Sequence, residues 1–330
     1  APQEASCYPR FVEIVVLGSG AIGSLYGAKL AEENNVTLVG RAEHVRSIEE
    51  RGLRIEGLES RTVRLRATTA LTHLDPDTLI FLTTKVPSAA GALGPIAPFI
   101  REDTTTVVLQ NGLNPEQIAR DILPPHAVVL RGITQFGAIF ESPGKIRYMA
   151  KGYTVLENHA RSSRIAAVLN KAGLDCRIAD DIKTEVWRKL VFNCVVNPIT
   201  TIVGGKVGDI ADPELNRLKQ LVIDECLAVA AAEGVLLPGD LLQQINATYA
   251  GSNNVVSMQQ DLLRGSLTEI DYLNGAVAGV GRRHGLDCPL NNALADLIRG
   301  MEALARERRE DRKTSSGSDS AGRGLEVTKK

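Results

Sequence analysis

The segment FVEIVVL-GSGAIG-SLYGAKLAEEN (11–34) narrows the fold of this chain more than any other. A β-branched run breaks at a glycine-rich turn and resumes in helix-forming residues, so the order is strand, turn, helix. A second apolar run, 36–39, follows. Gly18 permits the tight turn, Gly20 lets the backbone approach a ligand, and Gly23 lets the helix pack closely on the strand. Amides at the helix start, backed by the positive end of its dipole, suit phosphate. In this context Gly18, Ser19, Gly20, Ala21, Ile22 and Gly23 read as a dinucleotide-binding turn, and the expected fold is an α/β N-terminal domain of Rossmann type. A glycine turn serving packing alone is the bland alternative.

The end of the second strand discriminates between cofactors. An NAD site usually carries Asp or Glu there, accepting hydrogen bonds from the ribose 2′-hydroxyl. This chain reads TLVGRAEHVRS, with Gly40 at that position and Arg41 next. A carboxylate would repel a 2′-phosphate, whereas a guanidinium binds it through charge-assisted hydrogen bonds. The expected cofactor is therefore NADPH/NADP+, with Arg41 on the 2′-phosphate. Alternatively Arg41 is a solvated surface charge, and Arg46 or His44 does that work or nothing does.

Further strands follow. LRIEG and RTVRLRA (53–67) alternate like an antiparallel pair joined through Gly57. TLIFLTTK (78–85) is a buried strand ending on Lys85, and TTVVLQNG (105–112) is another, ending on Gln110, Asn111 and Gly112. Ligands of open α/β sheets bind beyond the carboxyl ends of the strands, which makes Lys85 and Asn111 candidate contacts. Lys85 reads equally well as an ordinary strand-end lysine, and Asn111-Gly112 as turn chemistry. The stretch 128–156, punctuated by Gly132, Gly137, Gly144 and Gly152, reads as antiparallel strands finishing the sheet.

After about Asp181 the pattern turns helical, with apolar stripes over 212–234, 255–285 and 289–309. The expected domains are 11–181, nucleotide-binding, and 182–312, all-α and substrate-binding. From Lys313 to 330 the chain is Ser/Gly-rich and reads as a disordered tail. In WRKLVFNCVVNP (187–198), Lys189, Asn193 and Asn197 recur every four residues. Each step advances about 40° round a helix, so the three share a face. Polar groups on an apolar helix need partners, and a small oxygen-rich substrate beside a cofactor would supply them. Asn197 is the least secure, because Pro198 disfavours helical geometry at the residue before it. Glu269, in SLTEIDYLNG (266–275), reads by itself as a solvated helix charge, and Asp271 and Asn274 as equally ordinary solvated polar residues.

Composition removes other classes of function. A formal net charge of -1 gives no field to favour nucleic acid or an anionic membrane, and aromatics at 4% offer few stacking platforms. No apolar run approaches a membrane span of about 20 residues. The five cysteines, Cys7, Cys176, Cys194, Cys226 and Cys288, are scattered and suit free thiols in a reducing cytoplasm. No His/Cys cluster has metal-ligand spacing, so no metal is expected. The alanine-rich helices are candidates for a homodimer interface.

The glycine loop with Arg41, then QNG, WRKLVFNCVVNPIT, SMQQD and TEIDYLNG, in that order, resembles the ketopantoate reductase (2-dehydropantoate 2-reductase) family over residues 11–308. The resemblance implies NADPH-dependent reduction of 2-dehydropantoate to (R)-pantoate, a step toward pantothenate and coenzyme A. By matching motif it implies that Lys189 is the catalytic lysine and that Asn193 and Asn197 bind substrate. Glu269 resembles the carboxylate near the active centre, and Ser257 the hydroxyl holding the substrate carboxylate. Asn111 resembles the residue joining the cofactor and substrate sites, and Lys85 a lysine on the cofactor side. Residues 72–104 and those beyond 312 match no motif.

The chemistry this implies is hydride addition to a ketone, with Lys189 as general acid protonating the carbonyl oxygen; such catalysis contributes about 10²–10⁴-fold. Glu269 would orient Lys189 or the substrate hydroxyl, and the cleft between the domains would close on both ligands. Two rivals stand beside this: a related NADP-dependent reductase of another 2-oxo acid, and a non-catalytic NADP-sensing protein on the same fold.

Overall fold

The computed structural model describes the backbone of residues 12–321 and side chains as far as residue 307. The chain divides into two compact units between Val186 and Trp187. The expected boundary at 181/182 coincides with the start of a helix, Ile182–Val203, and the division falls inside that helix.

The first unit opens with β1 (Glu13–Leu17), α1 (Ala21–Leu30), β2 (Asn35–Val39) and α2 (Ala42–Arg51). Then come β3 (Leu53–Gly57), β4 (Arg61–Val63), β5 (Arg66–Thr68), β6 (Leu79–Leu82), α3 (Ala89–Leu93), β7 (Thr105–Val108) and α4 (Pro115–Ile122). It closes with β8 (Val128–Thr134), β9 (Gly137–Ser142), β10 (Lys145–Ala150), β11 (Thr154–Leu156), α5 (Ser162–Lys171) and β12 (Cys176–Ile178). An eight-stranded sheet has the order β12-β11-β8-β7-β6-β1-β2-β5, and a four-stranded sheet the order β4-β3-β10-β9. From β5 to β8 every neighbouring pair of the large sheet is parallel, so those strands share one carboxyl edge.

Alternation along β1 shows why both faces of the large sheet are covered. Ile14 and Val16 enter one core with Leu25 and Tyr26 of α1; Val15 and Leu17 enter another with Ala89, Leu93 and Ala119 of α3 and α4. Helix α1 is buried along its length from Gly23 to Leu30 because the small sheet covers its other side, through Leu53, Ile55, Ile146 and Tyr148. This corrects two expectations. Strands β3 and β4 pair antiparallel, but β5 leaves them to lie parallel to β2. Strands β9 and β10 belong to the small sheet, where β10 pairs parallel with β3, while β8 runs parallel to β7 in the large one.

The second unit is helical. It comprises the greater part of α6 (Ile182–Val203), then α7 (Asn216–Ala232), α8 (Leu241–Tyr249), α9 (Ser257–Leu263), α10 (Asn274–Arg283) and α11 (Pro289–Ala321). The stretch 255–285 is not one helical run: Gly265, at φ +61°, closes α9, and a short 3-10 turn, Ile270–Tyr272, precedes α10. Helix α11 carries helical backbone through 313–321, nine residues into the segment expected as a tail, because extending a nucleated helix costs little. Residues 322–330 and Cys7 lie outside the described residues. The other four cysteines are free and buried. Among the described residues no helix is long and apolar enough to cross a membrane.

Candidate functional site

At the carboxyl edge of β1 the glycine loop is braced from behind. The amides of Gly18 and Ser19 donate to Val39 O at 3.0 and 3.1 Å, and Thr83 Oγ1 donates to Gly18 O at 2.7 Å. Gly18 has φ +104°, and a Cβ there would stand 2.5 Å from Thr84 N. A Cβ at Gly23 would overlap Gly18 O and Thr83 Oγ1, whereas one at Gly20 would meet nothing within 4 Å. Helix α1 begins at Ala21 with no side-chain cap and no acidic residue in its first turn. Its first amides therefore lack intrahelical acceptors and open onto free space over Gly20, an arrangement that fits a diphosphate.

Beyond β2, a Cβ at Gly40 would lie inside the van der Waals shell of Ser19 Oγ and 2.9 Å from Ser19 Cβ. Arg41 is the exposed N-cap of α2, and Arg46 is exposed as well. His44 is buried and faces inward. Its Nδ1 accepts the Gly144 amide at 2.8 Å, so the ring proton sits on Nε2 and is donated to Ser24 Oγ at 3.1 Å. Ser24 Oγ donates in turn to Ser19 O at 3.0 Å. Burial pushes the His44 pKa down to about 4. His44 thus supports the loop from within.

Lys85 caps the 3-10 turn Val86–Ser88 after β6 and is half-buried, as is Asn111 after β7. Between them, buried Gln110 donates through Nε2 to Thr84 O at 2.9 Å and Thr84 Oγ1 at 3.0 Å. From β8, buried Arg131 donates to Val108 O at 2.9 Å and Gly112 O at 3.2 Å, with Glu116 3.3 Å from its Nε. Burial pushes the Arg131 pKa down to about 10, against the opposing pull of Glu116 and Glu157. The loops holding 18–23, Gly40 and Arg41, Lys85 and Asn111 all leave the same carboxyl edge, around the point where β1 is flanked by β2 and β6. Sequence reasoning gave no role to Gln110 or Arg131. A charge inside VVLRGIT was the available signal, since a buried guanidinium must have partners.

In the second unit, Lys189, Asn193 and Asn197 are half-buried, whereas Trp187, Leu190, Val191, Cys194, Val195, Val196, Pro198 and Ile199 are buried. Between Trp187 and Thr201 the polar line forms a half-buried stripe beside exposed Arg188, with Phe192 at its border. Asn197 lies within continuous helix, which runs through Pro198 to Val203. Proline at 198 supplies no N–H to Cys194 O; the Nδ2 of Asn274 donates to that oxygen at 2.9 Å instead. The same Nδ2 donates to Asn291 Oδ1 at 3.0 Å, and Asn291 is held by Glu225 through its amide and side chain. Asn274 therefore ties the TEIDYLNG segment to α6. Glu269 is half-buried at the N-cap of the turn Ile270–Tyr272, rather than on a helix. Ser257 is exposed as the first residue of α9.

Comparison with known proteins follows the same two units. The family profile described as ketopantoate reductase PanE/ApbA matches residues 14–161, and its C-terminal counterpart matches 181–302. A 2-dehydropantoate 2-reductase of Pyrococcus horikoshii is 34% identical over 303 residues, covering 89% of this chain and 98% of that protein. One from Archaeoglobus fulgidus is 32% identical, covering 89% and 99%. Among solved structures, D-mandelate dehydrogenase with NADH and anilino(oxo)acetate is similar at a TM-score of 0.83 and 27% identity, covering 89% and 99%. A PanE/ApbA family ketopantoate reductase from Ralstonia eutropha is similar at 0.80 and 29% identity, covering 89% and 100%.

Proposed function

The chain belongs to the ketopantoate reductase family, and we propose that it reduces 2-dehydropantoate to (R)-pantoate with NADPH, Lys189 acting as general acid. The observation that carries this reading is the half-buried stripe on α6, where a lysine and two carboxamides recur every four residues among buried apolar side chains. The uncapped loop 18–23 would hold the diphosphate, and Arg41 the 2′-phosphate, with Lys85 and Asn111 on the same sheet edge. Bound NADPH supplies a hydride to the ketone carbon. Lys189 gives a proton from Nζ to the ketone oxygen, so that the product leaves as an alcohol and the lysine takes a new proton from solvent. Asn193 and Asn197 donate to and accept from the oxygens of the substrate, orienting its carbonyl for attack. Ser257 anchors the carboxylate, Glu269 orients Lys189 or the substrate hydroxyl, and Asn111 bridges cofactor and substrate.

NADPH is preferred because position 40 has no carboxylate to meet the ribose and Arg41 follows it. A second reading, reduction of a different 2-oxo acid such as an aryl one, draws support from the similarity to D-mandelate dehydrogenase. One experiment tests both. Initial rates of NADPH oxidation are measured for the wild type and Lys189→Ala across a panel of branched and aryl 2-oxo acids. We expect 2-dehydropantoate to give the highest kcat/KM and Lys189→Ala to lower kcat about 10²–10⁴-fold. A loss under about tenfold removes the general-acid role, and an aryl acid turning over faster selects the second reading.

A further inference from the structure

The joint between Ser19 and Gly40 bears on which cofactor the first unit can hold. In a parallel nucleotide-binding sheet, the residue ending the second strand chooses between a ribose hydroxyl and a ribose phosphate. Here that residue is Gly40, whose φ lies outside the range where only glycine is comfortable. Backbone conformation therefore does not require the glycine. Space does: a Cβ would overlap Ser19 Oγ and lie 2.9 Å from Ser19 Cβ. Rotating the hydroxyl relieves only the first of these contacts.

Nor can Ser19 retreat. Its amide donates to Val39 O at 3.1 Å, and its carbonyl accepts Ser24 Oγ at 3.0 Å. Ser24 is itself held by buried His44, whose other nitrogen is fixed by the Gly144 amide from the turn between β9 and β10. Gly40 is anchored too, its amide donating to Thr68 O at 3.0 Å. The serine side chain is buried at 7% exposure, filling the volume where a carboxylate at 40 would begin.

We infer that Ser19 is a specificity-determining residue: by occupying the space above Gly40 it excludes any acidic side chain there, so the chain cannot acquire an NAD-type ribose contact unless position 19 changes as well. The inference deepens the NADPH reading proposed above and rests on it for the direction of selectivity. The steric coupling between positions 19 and 40 stands independently.

The test is a double-mutant cycle on the full chain, with dissociation constants for NADPH and NADH read by fluorescence titration and thermal midpoints recorded without cofactor. Gly40→Asp alone should weaken both cofactors and lower the midpoint, since the loop must shift to admit the side chain. Ser19→Gly in that background should restore the midpoint. It should also move the NADPH-to-NADH preference toward NADH by at least about tenfold more than the two single changes multiplied together. If Gly40→Asp does not fold, Gly40→Ala with and without Ser19→Gly decides the matter, because a Cβ alone meets the same serine. Multiplicative single effects, or a clean switch to NADH by Gly40→Asp alone, would overturn the inference. A wild type that binds NADH more tightly than NADPH would instead overturn the cofactor reading, while non-multiplicative coupling would still establish the steric gate.

Discussion

A histidine that its folded surroundings keep neutral leaves a signature in the pH dependence of stability. His44 accepts a backbone N–H at Nδ1, so a second ring proton would cost that bond and place a charge in the core. Its folded pKa, near 4, lies below the ordinary 6.5. The unfolded chain therefore binds the extra proton first. The His44 contribution is fully present above pH 6.5 and is lost as pH falls from there through 4. Over that window it amounts to about 3 kcal/mol, at about 1.4 kcal/mol per pH unit. Urea unfolding of the wild type and His44→Asn at pH values from 4 to 7 should show the wild type losing more stability by that slope. Parallel curves would mean that His44 titrates normally. Asn keeps an acceptor for Gly144, so the comparison isolates the ring.

At the scale of the element, α6 is a helix that tolerates an interior proline because another segment repairs it. Pro198 leaves Cys194 O without its helical donor, and Asn274, 80 residues further on, donates to it. Replacing Asn274 with leucine, which is similar in size but cannot donate, should destabilise the chain by about 1–3 kcal/mol through unsatisfied buried acceptors. Pro198→Ala restores a backbone N–H and should recover part of that loss, while changing the wild type little. Denaturant midpoints of the four proteins measure the coupling, and additive effects would show that the two residues do not serve one carbonyl. The same pairing gives kinetics a structural reading. Helix α6 carries Lys189, Asn193 and Asn197, so a bend at Pro198 would displace Asn197 before it displaced Lys189.

Across the whole molecule the proposed roles divide by unit. The phosphate loop, Arg41 and Lys85 belong to the first, and Lys189, Asn193, Asn197, Ser257 and Glu269 to the second. NADP+ at a hundredfold excess over its Kd adds about 2.7 kcal/mol to whatever it stabilises. Hydrogen–deuterium exchange should therefore slow in 18–23 and in β1, β2 and β6, with little change in α7 and α10. Equal protection in those helices would assign cofactor binding differently. A net charge of -1 brings no long-range field to either event, so recognition rests on the local groups.

How much of this was legible in the sequence follows from the range of each interaction. The strand–turn–helix at 11–34 and the polar stripe on α6 could be read directly, because turn chemistry and helical period depend on residues a few positions apart. The partition of strands into two sheets could not, since β3 meets β10 only after about ninety intervening residues have folded back. The apolar neighbours of Glu269 suggest a helical period, but Gly265 and the turn after it break that helix. Pro198 argued against a helical Asn197, and only the distant Asn274 reverses the argument. The sequence alone determined the local conformations and the need of the polar residues in α6 for partners, whereas the burial of His44 and Arg131, and so their need, came with the tertiary structure. Tertiary structure decided which partners, because a buried polar group states its need in one segment and has it met by another.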